Sequence, residues 1–186
     1  MSKSLGNFVT IRELLATQAF GGRQWPGEVL RLAMLRTHYR QPIDWTVRAL
    51  EEAEATLERW YEAVGDAPTT AEPAAAVLDA LADDLNTPAA IAELHKLSAT
   101  SEDAARLKAS ADLLGLLPQT RSARLASNLR EAGVEAGKVE ALIGERKAAR
   151  ASRNWAESDR LRDVLAALGV AIKDNKDGTT SWEMKR

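Results

Sequence analysis

The 186-residue chain contains no cysteine. Disulfides, thiolate nucleophiles and cysteine-held metals are therefore excluded from it. Its two histidines, His38 and His95, are far apart in sequence and do not make a metal site by themselves. No apolar run reaches the roughly 18 residues of a membrane span. No basic-then-apolar leader opens the chain, so the expectation is a soluble cytoplasmic protein with no membrane partner. Strand and helix signals do not alternate as a parallel sheet would require. No nucleophile–base constellation marks an independent enzyme. A global basic signal for nucleic acid is missing too: the formal net charge is −2.

The distribution of charge says more than its sum. Residues 1–48 carry seven Lys/Arg against three Asp/Glu, and residues 113–162 carry ten against six. Residues 51–112 carry four against fourteen, so a polyanion would prefer the two ends. Apolar residues make up 45% of the chain, with alanine and leucine dominant, which favours helices. Thr10-Ile11-Arg12-Glu13 is a capping box that predicts a helix from Ile11. Pro26 suits the first turn of a second helix with the stripe Val29, Leu30, Leu32, Ala33 and Leu35. Arg31, Arg36 and Arg40 lie beside that stripe, as a solvated edge or as contacts to RNA backbone. Asp44 is expected to cap a long helix to Val64 that buries Val47, Leu50, Ala53, Ala55, Leu57, Trp60, Tyr61 and Val64. Its glutamates read as a solvated face.

Pro73 is expected to begin a helix ending near Leu85, with Asn86 or Thr87 capping the next and Pro88 in its first turn. Asp83 and Asp84 belong to that turn rather than to a metal pair. Residues 89–99 and 102–114 complete an antiparallel helical group. After Pro118, Arg121–Glu131 reads as a helix, with Gly133 and Gly137 as interruptions. A further helix carries the stripe Val139, Leu142, Ile143 and Ala149, with Arg146, Lys147, Arg150 and Arg153 opposite. Another helix runs from Trp155 to Leu168, closed by Gly169. Val170–Ile172, a turn over 173–178 and Thr179–Trp182 read as a hairpin. The fold class is mainly α: an antiparallel helical bundle, then a small α+β module of two helices and a β-hairpin.

Two stretches invite a functional reading, and each has a plain alternative. Met1–Asn7 is small and polar, with Ser2 and Ser4 flanking Lys3. It is either a mobile tail or a loop whose ammonium and hydroxyls suit a polyphosphate. Trp155 stands at a helix junction near a basic segment. It is either a plug for the corner or a stacking platform for an unpaired base.

Met1–Asn7 resembles the Lys-Met-Ser-Lys-Ser signature of class I aminoacyl-tRNA synthetases, without its first lysine. Phe8–Leu15, Leu35–Asp44, Asp83–Pro88, Ile143–Asp163 and Gly178-Thr179-Thr180 are similar to the cysteinyl-tRNA synthetase family in particular, in family order. The resemblance implies three regions: 1–24, the signature loop and the start of the stem-contact region; 25–117, a helical bundle; and 118–186, a small anticodon-binding domain. It assigns Lys3, Ser2 and Ser4 to ATP. The family pattern Glu-Arg-x-x-Ala-Arg-x-x-x-x-Trp-x-x-x-Asp is matched by Glu145, Arg146, Ala149, Arg150, Trp155 and Asp159. An acidic residue after the first strand is matched by Asp174. Arg150, Trp155, Asp159 and Asp174 are thus the candidates for reading the anticodon. Ser181 intervenes before Trp182, where the family usually places Trp directly after Gly-Thr-Thr. One inserted residue changes the face of a strand, so Trp182 is left out of the site.

The resemblance further implies tRNA-Cys as partner, with ATP and zinc as cofactors of the complete enzyme. The family's nucleotide-binding fold, its His-Ile-Gly-His-type signature and its Cys/His zinc site are absent from this chain. The expectation is therefore a monomeric carboxy-terminal part, inactive alone, whose partners can include the missing catalytic domain. The alternative is an inert helical module, derived from the synthetase, that packs against another protein.

Overall fold

The computed structural model describes residues 9–68, 71–131, 133, 135–174 and 180–184. The chain divides into two compact units, Met1–Arg121 and Ser122–Arg186. The signature loop expected over Met1–Asn7 lies outside the described residues.

The first unit is helical. Its elements are α1 (Ile11–Ala16), α2 (Gly27–Leu35), α3 (Val47–Val64), α4 (Ala75–Ala82), α5 (Thr87–Leu97) and α6 (Ala104–Asp112), with a short 3-10 turn at Ser101–Asp103 before α6. α1 begins as the capping box predicts. The Thr10 hydroxyl accepts from the Glu13 amide at 3.1 Å, and the Glu13 carboxylate accepts from the Thr10 amide at 2.7 Å. The next cap differs from expectation. Pro26 lies just outside α2, as its N-cap.

Thr46, not Asp44, caps α3, its hydroxyl accepting from the Ala49 amide at 3.1 Å. A side chain reaches the donors of the first turn only from the residue bordering the helix, and Asp44 lies two positions further out. Ala55 is exposed and Thr56 is buried in its stead. Thr56 follows Ala53 by three residues, which keeps it on the inward face. The outer glutamates are not simply solvated. Glu52 accepts from Arg36 at 3.1 Å and from Arg48 at 3.0 Å, and Glu54 pairs with Arg23.

The core of this unit gathers Leu14, Trp25, Leu32, Leu50, Leu57, Trp60, Leu94 and Leu107 with their neighbours. Burying side chains of this size is the main source of its stability, at about 1.5–3 kcal/mol each. Gly21 has φ +74, and a Cβ there would meet Val47 and Trp25 at 3.1–3.2 Å. α4 is shorter than expected, starting at Ala75 and stopping at Ala82. The buried Ser110 hydroxyl, from α6, accepts the Ala74 amide at 2.9 Å. Asp84 and Leu85 then take left-handed φ of 51° and 52°, and Asn86 caps α5, accepting from the Ala89 amide at 3.2 Å.

A buried polar network fastens residues 115–119 to this unit. Lys108, 4% exposed, donates to the carbonyls of Leu117 at 2.9 Å and Gln119 at 3.3 Å. The Leu117 amide donates to Glu28 at 2.7 Å, and the Tyr61 hydroxyl donates to the same carboxylate at 3.1 Å.

The second unit contains α7 (Arg121–Glu131) from its second residue on, α8 (Ala136–Ala151), α9 (Trp155–Ala167), β1 (Val170–Asp174) and β2 (Thr180–Met184). Gly133 takes φ +67 between helices, whereas Gly137 lies inside α8 and interrupts nothing. β1 and β2 pair antiparallel, with Ile172 opposite Trp182 and Asp174 opposite Thr180. The turn read over 173–178 falls largely outside the described residues. Leu129, Val139, Leu165 and Val170 form the core, covered by Leu142, Ile143, Leu168, Ile172 and Trp182. Trp182 is therefore a packing residue of this unit, paired across the strands with a core-lining isoleucine.

Candidate nucleic-acid interface

The site candidates cluster where α8 turns into α9 and where β1 ends. α8 carries an inward stripe of Val139, Leu142 and Ile143. Continuing that stripe by three and then four residues gives Arg146 and Arg150. The sequence reading set both arginines opposite the stripe. The structure corrects this: they prolong it, past the end of the apolar core. The same logic holds on β1. Val170 and Ile172 face the core, and with a period of two Asp174 shares their face at the strand's end. Helix stripe and strand face converge, and their polar extensions meet.

At that point the two Nη atoms of Arg146 donate to the two oxygens of Asp174, at 2.9 Å to Oδ1 and 3.0 Å to Oδ2. Arg150 Nη1 donates to Oδ2 as well. From the facing strand, the Thr180 hydroxyl donates to Oδ1 at 3.0 Å. Each carboxylate oxygen thus accepts two hydrogen bonds, the full complement of an ionised carboxylate. The Arg146 fork is the chief reason that Asp174 is held well below the usual carboxylate range, with Thr180 and Arg150 adding to it and burial opposing it. Asp174 in turn raises Arg146, aided by the charge of Asp159.

The corner between the helices is built from backbone. α8 ends with the Asn154 amide donating to the Ala149 carbonyl at 2.8 Å and the Arg153 amide to the Arg150 carbonyl at 3.1 Å. This paired closure needs a left-handed residue at the position after the cap, where glycine is usual. Here that residue is Arg153, at φ 59°. Asn154 then caps α9, its side chain accepting from the Glu157 amide at 3.3 Å. Trp155 is the first residue of α9 and is 58% exposed. It does not plug the corner. The buried stripe of α9, Ser158, Leu161 and Leu165, begins one turn later.

Asp159 is exposed and pairs with Arg162 at 3.0 Å. Arg150 and Asp174 are thus brought onto one another, Trp155 opens at the adjoining corner, and Asp159 is held by its own helix neighbour. Arg146, Thr180 and Arg153 were not among the sequence candidates. The i, i+4 spacing of Arg146 and Arg150 was the available signal for the first. Lys3, Ser2 and Ser4 lie outside the described residues.

In the first unit, Arg31 donates to the Gly115 carbonyl and Arg36 to Glu52. Arg40 donates to Asp84 and to the Tyr39 hydroxyl, which itself donates to Asp84 at 2.8 Å. His38 stacks on Tyr39 and its Nδ1 accepts the Arg40 amide at 3.3 Å. Among the described residues no group of three His, Asp or Glu side chains could hold a metal ion. With no cysteine in the chain, these residues do not fit a thiolate zinc site. Among the described residues, no helix is long and apolar enough to cross a membrane.

Three family models match the chain. Residues 136–181 match a cysteinyl-tRNA ligase anticodon-binding domain, residues 76–114 a DALR domain, and residues 1–55 a class I tRNA synthetase catalytic domain. Among curated relatives, a protein named cysteine–tRNA ligase from Methylocella silvestris is 58% identical over 193 residues, covering all of this chain and 40% of the relative. Proteins of the same name from Afipia carboxidovorans and Bradyrhizobium diazoefficiens are each 53% identical, with all of this chain and 39% and 38% of the relative covered. The chain spans about two-fifths of the length of these relatives. The corner and the Asp174 cluster both fall inside the stretch matching the anticodon-binding model.

Proposed function

Because the chain belongs to the cysteine–tRNA ligase family, we propose that it is the tRNA-binding, carboxy-terminal portion of an enzyme that attaches cysteine to tRNA-Cys in an ATP-dependent reaction. The second unit reads the anticodon through Arg150, Trp155, Asp159 and Asp174. The observation that carries this reading is the exposed indole of Trp155, fixed by a capped helix start within the matched anticodon-binding stretch. An unstacked base needs a flat apolar surface open to solvent, and such stacking contributes about 1–3 kcal/mol per base. Arginine adds a phosphate or bidentate base contact, and a carboxylate accepts from a base amino group.

In the complete enzyme Lys3, with Ser2 and Ser4, meets the phosphates of ATP, supplying positive charge and hydroxyl donors there. Zinc belongs to the part of the enzyme outside this chain. Regions 1–24, 25–117 and 118–186 serve as signature loop, helical scaffold and anticodon reader. The chain works as a monomer in the cytoplasm, with the catalytic domain as its partner. Alone it gives no cysteine-dependent ATP–pyrophosphate exchange.

The test is binding of tRNA-Cys and of a non-cognate tRNA to the 186-residue chain at two salt concentrations. The expected result is preference for tRNA-Cys, with log K falling as log salt rises. Trp155→Ala should weaken binding by about 5- to 150-fold, the equivalent of one stacked base. No binding to either tRNA, with Trp155→Ala without effect, would overturn the reading. It would favour the helical protein-interaction module, to which the intramolecular pairing of Arg31, Arg36 and Arg40 also lends support.

A further inference from the structure

The cluster at Asp174 holds two arginines that are not equivalent. Arg146 makes two hydrogen bonds in a fork and its side chain is 11% exposed. Arg150 makes one and is 43% exposed. Arg146 Nε is buried and has no hydrogen-bond partner among the described residues. A largely covered, incompletely satisfied charged group is a poor way to cover a core, since an apolar residue of similar volume usually does as well or better. Packing therefore does not account for Arg146. Its geometry does something else: a planar fork fixes the plane of a carboxylate as a point charge cannot.

We propose that Arg146 is the positioning residue of the anticodon site. It holds Asp174 in one orientation and keeps that carboxylate compensated, so that Arg150 can leave its single bond and engage RNA. In the free protein Arg150 is parked on Asp174 at its exposed side. On binding, the Arg150 guanidinium exchanges its carboxylate contact for a base edge, and one acceptor position on Asp174 opens at the same moment. Without Arg146, release of Arg150 would strand the negative charge of Asp174 at the edge of an apolar core, with the Thr180 hydroxyl as its remaining donor among the described residues. The inference rests on the proposed anticodon-reading role of this unit and adds to it a residue that does not itself touch RNA.

The experiment compares the affinities of the full chain for the tRNA-Cys anticodon stem-loop and for stem-loops with single anticodon bases changed. Arg150→Ala tests the underlying reading and should cut discrimination at one position by about 5- to 150-fold, the range of a bidentate base contact. Arg146→Lys keeps the charge but loses the fork. It should lose at least about fivefold of the same discrimination, at the same position, with an unchanged slope of log K against log salt. A merely structural residue would weaken all stem-loops alike. Thr180→Val removes one bond to Asp174 and leaves both arginines, so it keeps the test available if Arg146→Lys unfolds the unit. It should reduce discrimination at that position by about twofold or more. If Arg150→Ala loses discrimination while folded Arg146→Lys, or Thr180→Val, retains it in full, the inference falls and the anticodon reading stands. If Arg150→Ala itself retains discrimination, the role given to Arg150 falls, and this inference with it.

Discussion

Arg146 holds both oxygens of Asp174, Nη1 at 2.9 Å and Nη2 at 3.0 Å, joining α8 to the end of β1 across 28 residues of sequence. The contact has a pH signature. The folded carboxylate ionises well below its ordinary value of 3.8, which the unfolded one keeps. A depressed acid stabilises the folded state above the unfolded pKa, and that stabilisation is lost as pH falls through the folded pKa. Asp174→Asn should therefore lower the melting temperature of the second unit at pH 6. The gap to the native chain should narrow steadily below about pH 4. Thermal unfolding followed by circular dichroism between pH 2 and pH 6 measures it. A gap independent of pH would exclude the linkage.

Arg153 occupies a backbone conformation that suits glycine. Arg153→Gly should stabilise the second unit by about 1 kcal/mol, and Arg153→Val should destabilise it, because a β-branched side chain tolerates that region worst. Urea titration of the two variants checks the opposite signs.

The cap of α3 separates Thr46 from Asp44. Thr46→Ala should cost about 1 kcal/mol and Asp44→Ala only a few tenths. Equal losses in chemical denaturation would mean that Asp44 shares the capping role.

Lys108→Met keeps most of the buried stem but removes the ammonium from the carbonyls of Leu117 and Gln119. Leaving buried acceptors without a donor costs about 1–3 kcal/mol. The loss should appear in the stability of the first unit and in faster amide exchange at Gly115 and Leu117. Unchanged exchange there would mean that the amine is not what fastens this stretch.

The helices were legible because their signals are local. The Thr10–Glu13 box and Gly169 each act within four residues and stand where the sequence puts them, and of the two caps it offers for α5, Asn86 is the one used. Errors arose where two local signals competed, as at Asp44 and Thr46, or where a helical period was followed too loosely, as at Ala55. The candidate site was legible only in its parts. Arg150 and Asp174 could be named one by one. Their mutual pairing depends on a helix face and a strand face meeting, which no short stretch of sequence encodes. Arg146 was misplaced because arginine reads as an outward residue. Its burial comes from following Ile143 by three on an inward face. The Arg40–Tyr39–Asp84 cluster in the first unit escaped notice for the same reason, its members being 44 and 45 residues apart in sequence.

Asn154 finishes one helix and starts the next, since its amide closes α8 while its side chain opens α9. No spacer separates the two tasks, so the bearing of the indole that follows is dictated by chain count. Adding or deleting a single residue between Ala151 and Trp155 would part the two closures, so that one residue could no longer end α8 and cap α9 together. Such a joint accepts changes of spelling but not of length.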